Sequence, residues 1–421
     1  MKIAVIGGGA SGCFCALLAK RRCPQAAITL FEAGPRLMAK LALTGGGRCN
    51  LTNSFRDIDR LEEAYPRGAQ LMRRALRVLS PEDTQRWFEA EGVRLTTQED
   101  QCVFPVSQDA MQVVRTLERG LRQAGVEVRC GTRVERIEAL PEGGFAVWDS
   151  PVKPANDEEI KPANLRHSPT PIGEARFDSV VVAVGGCSRE RLEQLLPEGI
   201  AVTGTVPSLF TLKIPDAGLR ALMGTVVPRA TLSLAGTKFR AGGTLLLTDW
   251  GVSGPATLRL SSYAARHLAE NGYTGTLLVN WLDCAEADAR AWILATAGAH
   301  PQKQAATTPP EGLTARLWRH LLSRATLRED LRWAELGSKG AARLAATLTA
   351  DAYPVAGRAR FKEEFVTCGG VDLAGVSLGT LESKRYPGLF FTGEALDVDA
   401  ITGGFNLQAA WSTAAMVARI F

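Results

Sequence analysis

The sequence predicts an α/β fold whose parallel sheet is assembled from both ends of the chain and interrupted by a long insert. Three observations carry this. The chain opens as strand, Gly-rich turn, helix, strand: "KIAVIG" is a continuous apolar run, "ASGCFCALLAKRR" reads as a helix, and "AITLFE" as a second strand. The other end mirrors it, with "GLFFTGEA" as a strand ahead of a final helix from about Phe405. Between them lie a strand-rich block, about Gly199 to Leu282, and a helical block, about Ala285 to Ala350. The expected division is 1–198 with 351–421 as one domain, and 199–284 and 285–350 as inserted segments.

Amphipathic helices are expected across Asp59–Leu79 and Pro81–Glu91, the second with Pro at a favourable first position. "VEVRC", "RVERIEAL" and "FAVWD" read as a meander of short strands. The stretch Ser150–Ala175 is Pro-rich, charged and poor in apolar residues, and reads as an exposed insertion without chemistry. "FDSVVVAVGG" then returns to buried strand. In the insert, "ATLSLAG", "GTLLLT" and "GTLLVNWL" read as strands, and "LTARLWRHLLSRA" and "GAARLAATLT" as helices.

Composition narrows the class. Of 421 residues, 46% are hydrophobic and 22% charged, the ordinary range for a globular chain. No run approaches the ~20 apolar residues of a membrane span. The opening lacks a signal-peptide cleavage pattern, so a cytoplasmic protein is expected. The nine cysteines are scattered with no CxxC pair, and the four histidines show no ligand spacing; reduced thiols and no metal site are expected. The net charge of +5 is mild. It is concentrated in "YPRGAQLMRRALRVLS", in Arg115–Arg136 and in "RLWRHLLSRATLREDLRW". Such segments fit either solvated helix faces or a footprint for polyanionic RNA.

The chemistry begins at "GGGASG". Gly7 permits the tight turn, Gly9 lets a pyrophosphate approach the backbone, and Gly12 lets the helix pack on the strand. Ala10 and Ser11 complete a helix N-terminus whose free N–H groups and dipole favour anions. Glu32, followed by Ala33, ends the second strand 20 residues after Gly12, placed to accept from a ribose diol. A second complete fingerprint is absent, which points to one resident dinucleotide, FAD, rather than a nicotinamide domain. A matching segment stands near the other end, "FFTGEALDVDAITGGFNLQAAW". There Gly393 allows close backbone approach and Glu394 is suited to a ribityl chain. Asp397 lies between, and Gly403, Gly404, Phe405, Asn406 and Leu407 open the last helix toward a flavin edge.

"GGGASG…FE", "TGGGRCNLTN", "VFPVSQDA", "VSGPATLRLS", "VTCGGV" and "TGEALDVDAITGGFNLQAAWS" resemble, in order and spacing, the BaiN/RdsA family of flavoproteins over nearly the whole chain. The resemblance implies a Rossmann-like FAD-binding domain of the two-dinucleotide-binding, glutathione reductase-like type. It also implies that a β-barrel plus helical-bundle insert interrupts that domain. It matches Val134 to a position whose backbone meets adenine, Gly185 and Gly186 to a turn against the cofactor, and Lys40 to a position just before the glycine loop. In that loop, Thr44 is followed by Gly45, Gly46 and Gly47, which would let bare backbone lie beneath the isoalloxazine. Arg48 would hold an anionic or carbonyl-bearing substrate, Cys49 would donate a proton or merely pack, and Asn50 would pin the loop. Ser253-Gly254-Pro255 reads as a turn before a helix in the insert.

The activity so implied is flavin-dependent reduction with NAD(P)H as donor. Family members reduce a uridine of large-subunit ribosomal RNA, the first expectation for substrate. The alternatives are a bile-acid-like small molecule or, in another class, a flavin-binding assembly or sensor without turnover. The chain departs from the family pattern where Asp249 stands in place of His, Cys102 in place of Arg and Asp109 in place of Lys. Cys368 also replaces a smaller residue.

Overall fold

Ile3, Ala4, Val5 and Ile6 are at most 4% exposed, the burial on both faces that a central parallel strand requires. They belong to β1 (Lys2–Ile6), which leads through the glycine turn to α1 (Ala10–Arg22) and β2 (Ala27–Phe31). In this computed structural model β1 and β2 join β3 (Glu127–Arg129), β4 (Ser179–Val182) and β5 (Leu389–Phe391) in one sheet of order β5-β4-β1-β2-β3. Every pairing is parallel. The order reverses between β1 and β4, the switch point beyond whose carboxyl ends open parallel sheets bind their ligands. Strand β5 comes from the far end of the sequence, so the sheet is a product of both termini.

The structure describes residues 1–152, 170–171, 176–359 and 366–421. The expected insertion Ser150–Ala175 lies largely outside them. The chain divides into two units, Met1–Val206 with Val366–Phe421, and Pro207–Phe365. In the first, α1 packs on α2 (Phe405–Ala418). The contact is aromatic: Phe14 lies 5.3 Å from Trp411, edge to face, and Phe88 lies 5.3 Å from the same indole. Such pairs contribute about 0.5–1.5 kcal/mol each beyond their buried area.

The helix expected over Asp59–Leu79 forms as two pieces, Leu61–Ala64 and Ala69–Ala75. Pro66 disfavours helical backbone at the preceding residue, and Tyr65 indeed leaves it, at φ −117° and ψ 85°. Gly68 then turns left-handed at φ +77°, with Val398 Cγ2 2.4 Å from where a Cβ would stand. The helix expected over Pro81–Glu91 runs Pro81–Ala90, opened by a reciprocal cap between Ser80 and Asp83.

The second unit holds a six-stranded antiparallel sheet. Its order is 212–213, 251–253, 240–248, 226–234, 274–280, 351–356. The two edges return to each other: Lys213 N–H donates to Gly357 O at 2.8 Å, and Ala359 N–H to Thr211 O at 3.1 Å. Helices Glu286–Ala299, Ala315–Arg324 and Gly337–Ala350 share its core, which includes Trp281, Trp318, Trp333 and Tyr353. Gly254, at φ +90°, caps the helix Pro255–Tyr263. Among the described residues no helix is long and apolar enough to cross a membrane, and no His, Cys, Asp and Glu group is placed to hold a metal.

Candidate functional site

The glycine turn follows β1 and lies against the end of β4, where Ala183 N–H donates to Ile6 O at 2.8 Å. Gly7 has φ +108°, and a Cβ there would lie 2.3 Å from Ala183 O. At Gly12 a Cβ would lie 1.9 Å from Gly7 O, so the helix start folds directly onto the turn. Gly9 differs: nothing stands within 4 Å of its missing side chain. It caps α1 without a side-chain partner, and the first helical bond is Cys13 N–H to Gly9 O at 3.0 Å. The amides of Ala10, Ser11 and Gly12 therefore precede the helical ladder beside open space. Glu32 braces the turn from β2. Its Oε2 accepts from Gly8 N–H at 2.7 Å and its Oε1 from Gly34 N–H at 2.6 Å, past Ala33.

The far end of the chain joins this turn through a hydroxyl chain. Ser11 Oγ lies 2.7 Å from Thr392 Oγ1, and Thr413 Oγ1 lies 3.0 Å from the same oxygen and accepts from Gly393 N–H at 2.9 Å. Gly393 is left-handed at φ +65°, with Ser11 Cβ only 2.9 Å from its absent Cβ. The next residue, Glu394, accepts from Thr367 N–H at 2.6 Å, and a side chain at Gly186 would collide with its Oε1 at 2.6 Å. Gly185 stands beside it at φ +71°. Asp397 N–H donates to Val371 O at 3.0 Å.

Burial pushes the Glu394 carboxyl above its ordinary range, partly offset by the Lys40 charge and by the amides of Thr367 and Gly186. The folded state thus holds this proton more tightly than the unfolded chain does. Stability falls as pH rises from the ordinary carboxylate range through the raised value. Glu394→Gln removes that penalty. Its FAD-free form is expected to melt above wild type at pH 8, the gap closing below about pH 4. Thermal melts with equal gaps at both pH values would refute this.

The triple-glycine loop closes the site. Thr44 Oγ1 donates to Leu41 O at 2.7 Å, and then Gly45, Gly46, Gly47 and Cys49 take φ of +58°, +69°, +84° and +60°. The sequence did not announce a left-handed Cys49. Gly46 and Gly47 face open space. Asn50, with its amide oriented to satisfy both neighbours, donates to Thr52 O at 3.0 Å and accepts from Gly404 N–H at 3.2 Å. Asn53 Nδ2 donates to Gly403 O at 3.0 Å, and Trp411 Nε1 to Leu51 O at 3.0 Å. The loop is thereby laid on the N-terminus of α2, which Gly404 caps at φ +89° with no side-chain partner. Phe405, Asn406 and Leu407 form its first turn. Asn406 fixes the approach by exchanging two bonds with Ala400, at 2.9 and 3.0 Å.

Two residues stand apart. Cys49 is fully buried, which pushes its thiol up to about 12. Val134 lies on the strand Thr132–Ala139, where its carbonyl accepts from Arg191. Sequence reading also missed Asp399, fully buried and ion-paired with Arg67, and the Thr392–Thr413 pair. Their only signal was polar residues inside otherwise apolar stretches.

A parallel-sheet crevice with two uncapped helix N-termini and side-chain-free space at Gly9, Gly46 and Gly47 fits an elongated dinucleotide. The family model described as the HI0933-like protein Rossmann domain matches residues 1–420. The chain belongs to the HI0933-like family. Over 99% of its length it is 28% identical to the 3-dehydro-bile acid delta(4,6)-reductase of Clostridium scindens, covering 98% of that protein. It is 29% identical to the ribosomal RNA dihydrouridine synthase of Escherichia coli, over 97% of this chain and 95% of that one. Among solved structures it is similar to the 3-ketosteroid delta1-dehydrogenase of Sterolibacterium denitrificans. That likeness is 11% identical, with a TM-score of 0.47, over 99% of this chain and 98% of that one. This HI0933-like chain is an FAD-dependent oxidoreductase with a Rossmann-type domain, as the motif resemblance implied.

Proposed function

We propose that the chain is an NAD(P)H-driven reductase of a conjugated C=C bond, acting on a uridine of large-subunit ribosomal RNA. Bound FAD supplies hydride chemistry at its N5. In this reading Gly9 to Gly12 take the pyrophosphate, Glu32 and Ala33 the ribose, and Val134 the adenine. Lys40, Gly185, Gly186, Gly393, Glu394 and Asp397 line the ribityl side. Thr44 to Gly47 underlie the ring, and Gly403 to Leu407 meet its far edge. Arg48 binds substrate and Asn50 pins the loop. Cys49 packs, since a fully buried thiol of such high pKa is a poor proton donor. The uracil base would be splayed from its stack to reach the ring.

The observation that carries the RNA reading is an arginine-bearing segment anchored to the site. Phe55 packs edge to face on Phe405 at 4.9 Å, and Tyr65 O–H donates to Phe405 O at 2.9 Å. Between and beyond them, exposed Arg56, Arg74 and Arg77 have no carboxylate partner among the described residues. Cations so placed suit phosphates, with the steep salt dependence of counterion release. The second reading, a steroid-like substrate, is favoured by Asp109, which caps the helix Ala110–Ala124 where the family pattern has Lys.

Mapping dihydrouridine in large-subunit ribosomal RNA of a deletion strain decides between them. One modified site is expected to disappear and to return with the gene. An unchanged map, with NADPH-dependent reduction of an oxo-diene steroid by the purified protein, would establish the second reading instead.

A further inference from the structure

Two contacts hold the Arg48 guanidinium, and neither uses its outer edge. Its Nε donates to Gly45 O at 3.0 Å, and its Cζ lies 4.6 Å from the centre of the Phe104 ring. The side chain is exposed, yet among the described residues no carboxylate pairs with it and neither Nη finds an acceptor. An arginine on a surface ordinarily spreads over many rotamers. Here an aromatic face and a turn carbonyl fix the plane, leaving two parallel N–H groups presented outward. Phe104 cannot drift: it is 3% exposed, on the strand Cys102–Pro105 that pairs with Thr52–Asn53. It also abuts the glycine turn, since a Cβ at Gly45 would stand 3.1 Å from its ring. The aromatic, the turn and the arginine form one device.

We infer that Phe104 is a positioning residue, aiming Arg48 at a carbonyl oxygen conjugated to the C=C bond that is reduced. This rests on the reductase reading above. Hydride addition forms a C–H bond at the β-carbon and breaks the C=C π bond, whose electron pair moves onto the carbonyl oxygen. The α-carbon then takes a proton from water and the carbonyl re-forms. The two electrons come from FAD reduced by NAD(P)H. A guanidinium keeps its protons throughout the working pH range. Arg48 therefore stabilises charge on the oxygen rather than donating to carbon. That interaction is stronger once charge has developed than with the neutral carbonyl, so it governs kcat. Uracil presents such an oxygen at C4, and an oxo-diene steroid at C3. The device selects for the conjugated carbonyl, whichever molecule carries it.

The test compares Phe104→Leu, which keeps bulk without a π face, with Phe104→Trp, which keeps the face. The FAD-loaded enzyme is assayed on a uridine-containing ribosomal RNA fragment and, in parallel, on an oxo-diene steroid. On whichever is reduced, Phe104→Leu is expected to lower kcat about fivefold with KM little changed. Phe104→Trp is expected to restore it, and reduction of the flavin by NADPH to keep its wild-type rate in both. An unchanged kcat in Phe104→Leu, or a loss shared by Phe104→Trp, overturns the inference. Should wild type reduce neither probe, the reductase reading fails, and titration with sulfite, an anion that adds to oxidised flavin, still decides the role of Phe104. About fivefold weaker bleaching in Phe104→Leu alone supports it, and equal bleaching in all three proteins refutes it.

Discussion

Gly7→Ala is expected to yield a colourless protein that has lost about 4 kcal/mol of stability. At φ +108° an L side chain is strained, at about 1–3 kcal/mol. Its Cβ would also lie 2.3, 2.6 and 2.9 Å from Ala183 O, Ala183 C and Val184 Cα. These are backbone atoms just past β4, with no rotamer to yield, and overpacking adds about 1–3 kcal/mol more. The shift would force β1 and β4 apart at the point where the crevice opens. Gly9→Ala supplies the contrast. Gly9 has φ −77° and free space around its missing Cβ, so that variant should lose no more than about 1 kcal/mol, the cost of Ala at an N-cap, while losing FAD affinity. Denaturant unfolding and visible absorbance separate the two. A yellow, stable Gly7→Ala protein would contradict the account of the turn.

Asp399→Ala is expected to cost about 3–5 kcal/mol and to weaken FAD retention. Arg67 Nε donates to Asp399 Oδ1 at 2.6 Å and Nη2 to Oδ2, with the carboxylate 0% and the arginine 12% exposed. Losing one partner leaves a charge stranded in the interior. The same pair holds the stretch between Gly393 and Asn406 against the Gly68 turn, through a backbone bridge from Arg67 to Asp399. Arg67→Met alone should cost a similar amount. The double variant Arg67→Met with Asp399→Leu should recover much of the loss, because an apolar pair of like volume carries no desolvation penalty. Additive losses in the double-mutant cycle would contradict a coupled pair.

What the sequence made legible were features carried by local pattern. The apolar runs of β1, β2 and β4 and the glycine spacing at 7, 9 and 12 gave the parallel sheet and its nucleotide turn directly. Motifs near residues 45 and 403 marked two loops that the fold joins, through Asn50 to Gly404 N–H and Asn53 to Gly403 O. Helix 59–79 was misread because amphipathic spacing outweighed Pro66 and Gly68, whose backbone demands break it. Pairings between distant positions were invisible: Arg67 with Asp399, Arg48 with Phe104, and Ser11 with Thr392. Each joins residues with no shared periodicity, and only the fold brings them together. Glu32 was legible as an acid at a strand end. Its grip on Gly8 and Gly34 was not, because that depends on the path of the turn.

The hydroxyl chain from Ser11 through Thr392 to Thr413 has a consequence for how the protein is made. On a translating ribosome the glycine turn is made well before residues 392–413, so Ser11 waits without the hydroxyls that meet it. Meanwhile the apolar side of α1 waits without its partner, an invitation to chaperones. The site is therefore incomplete until residues 392–413 have joined the glycine turn, and a chain truncated before residue 390 is expected to bind no FAD.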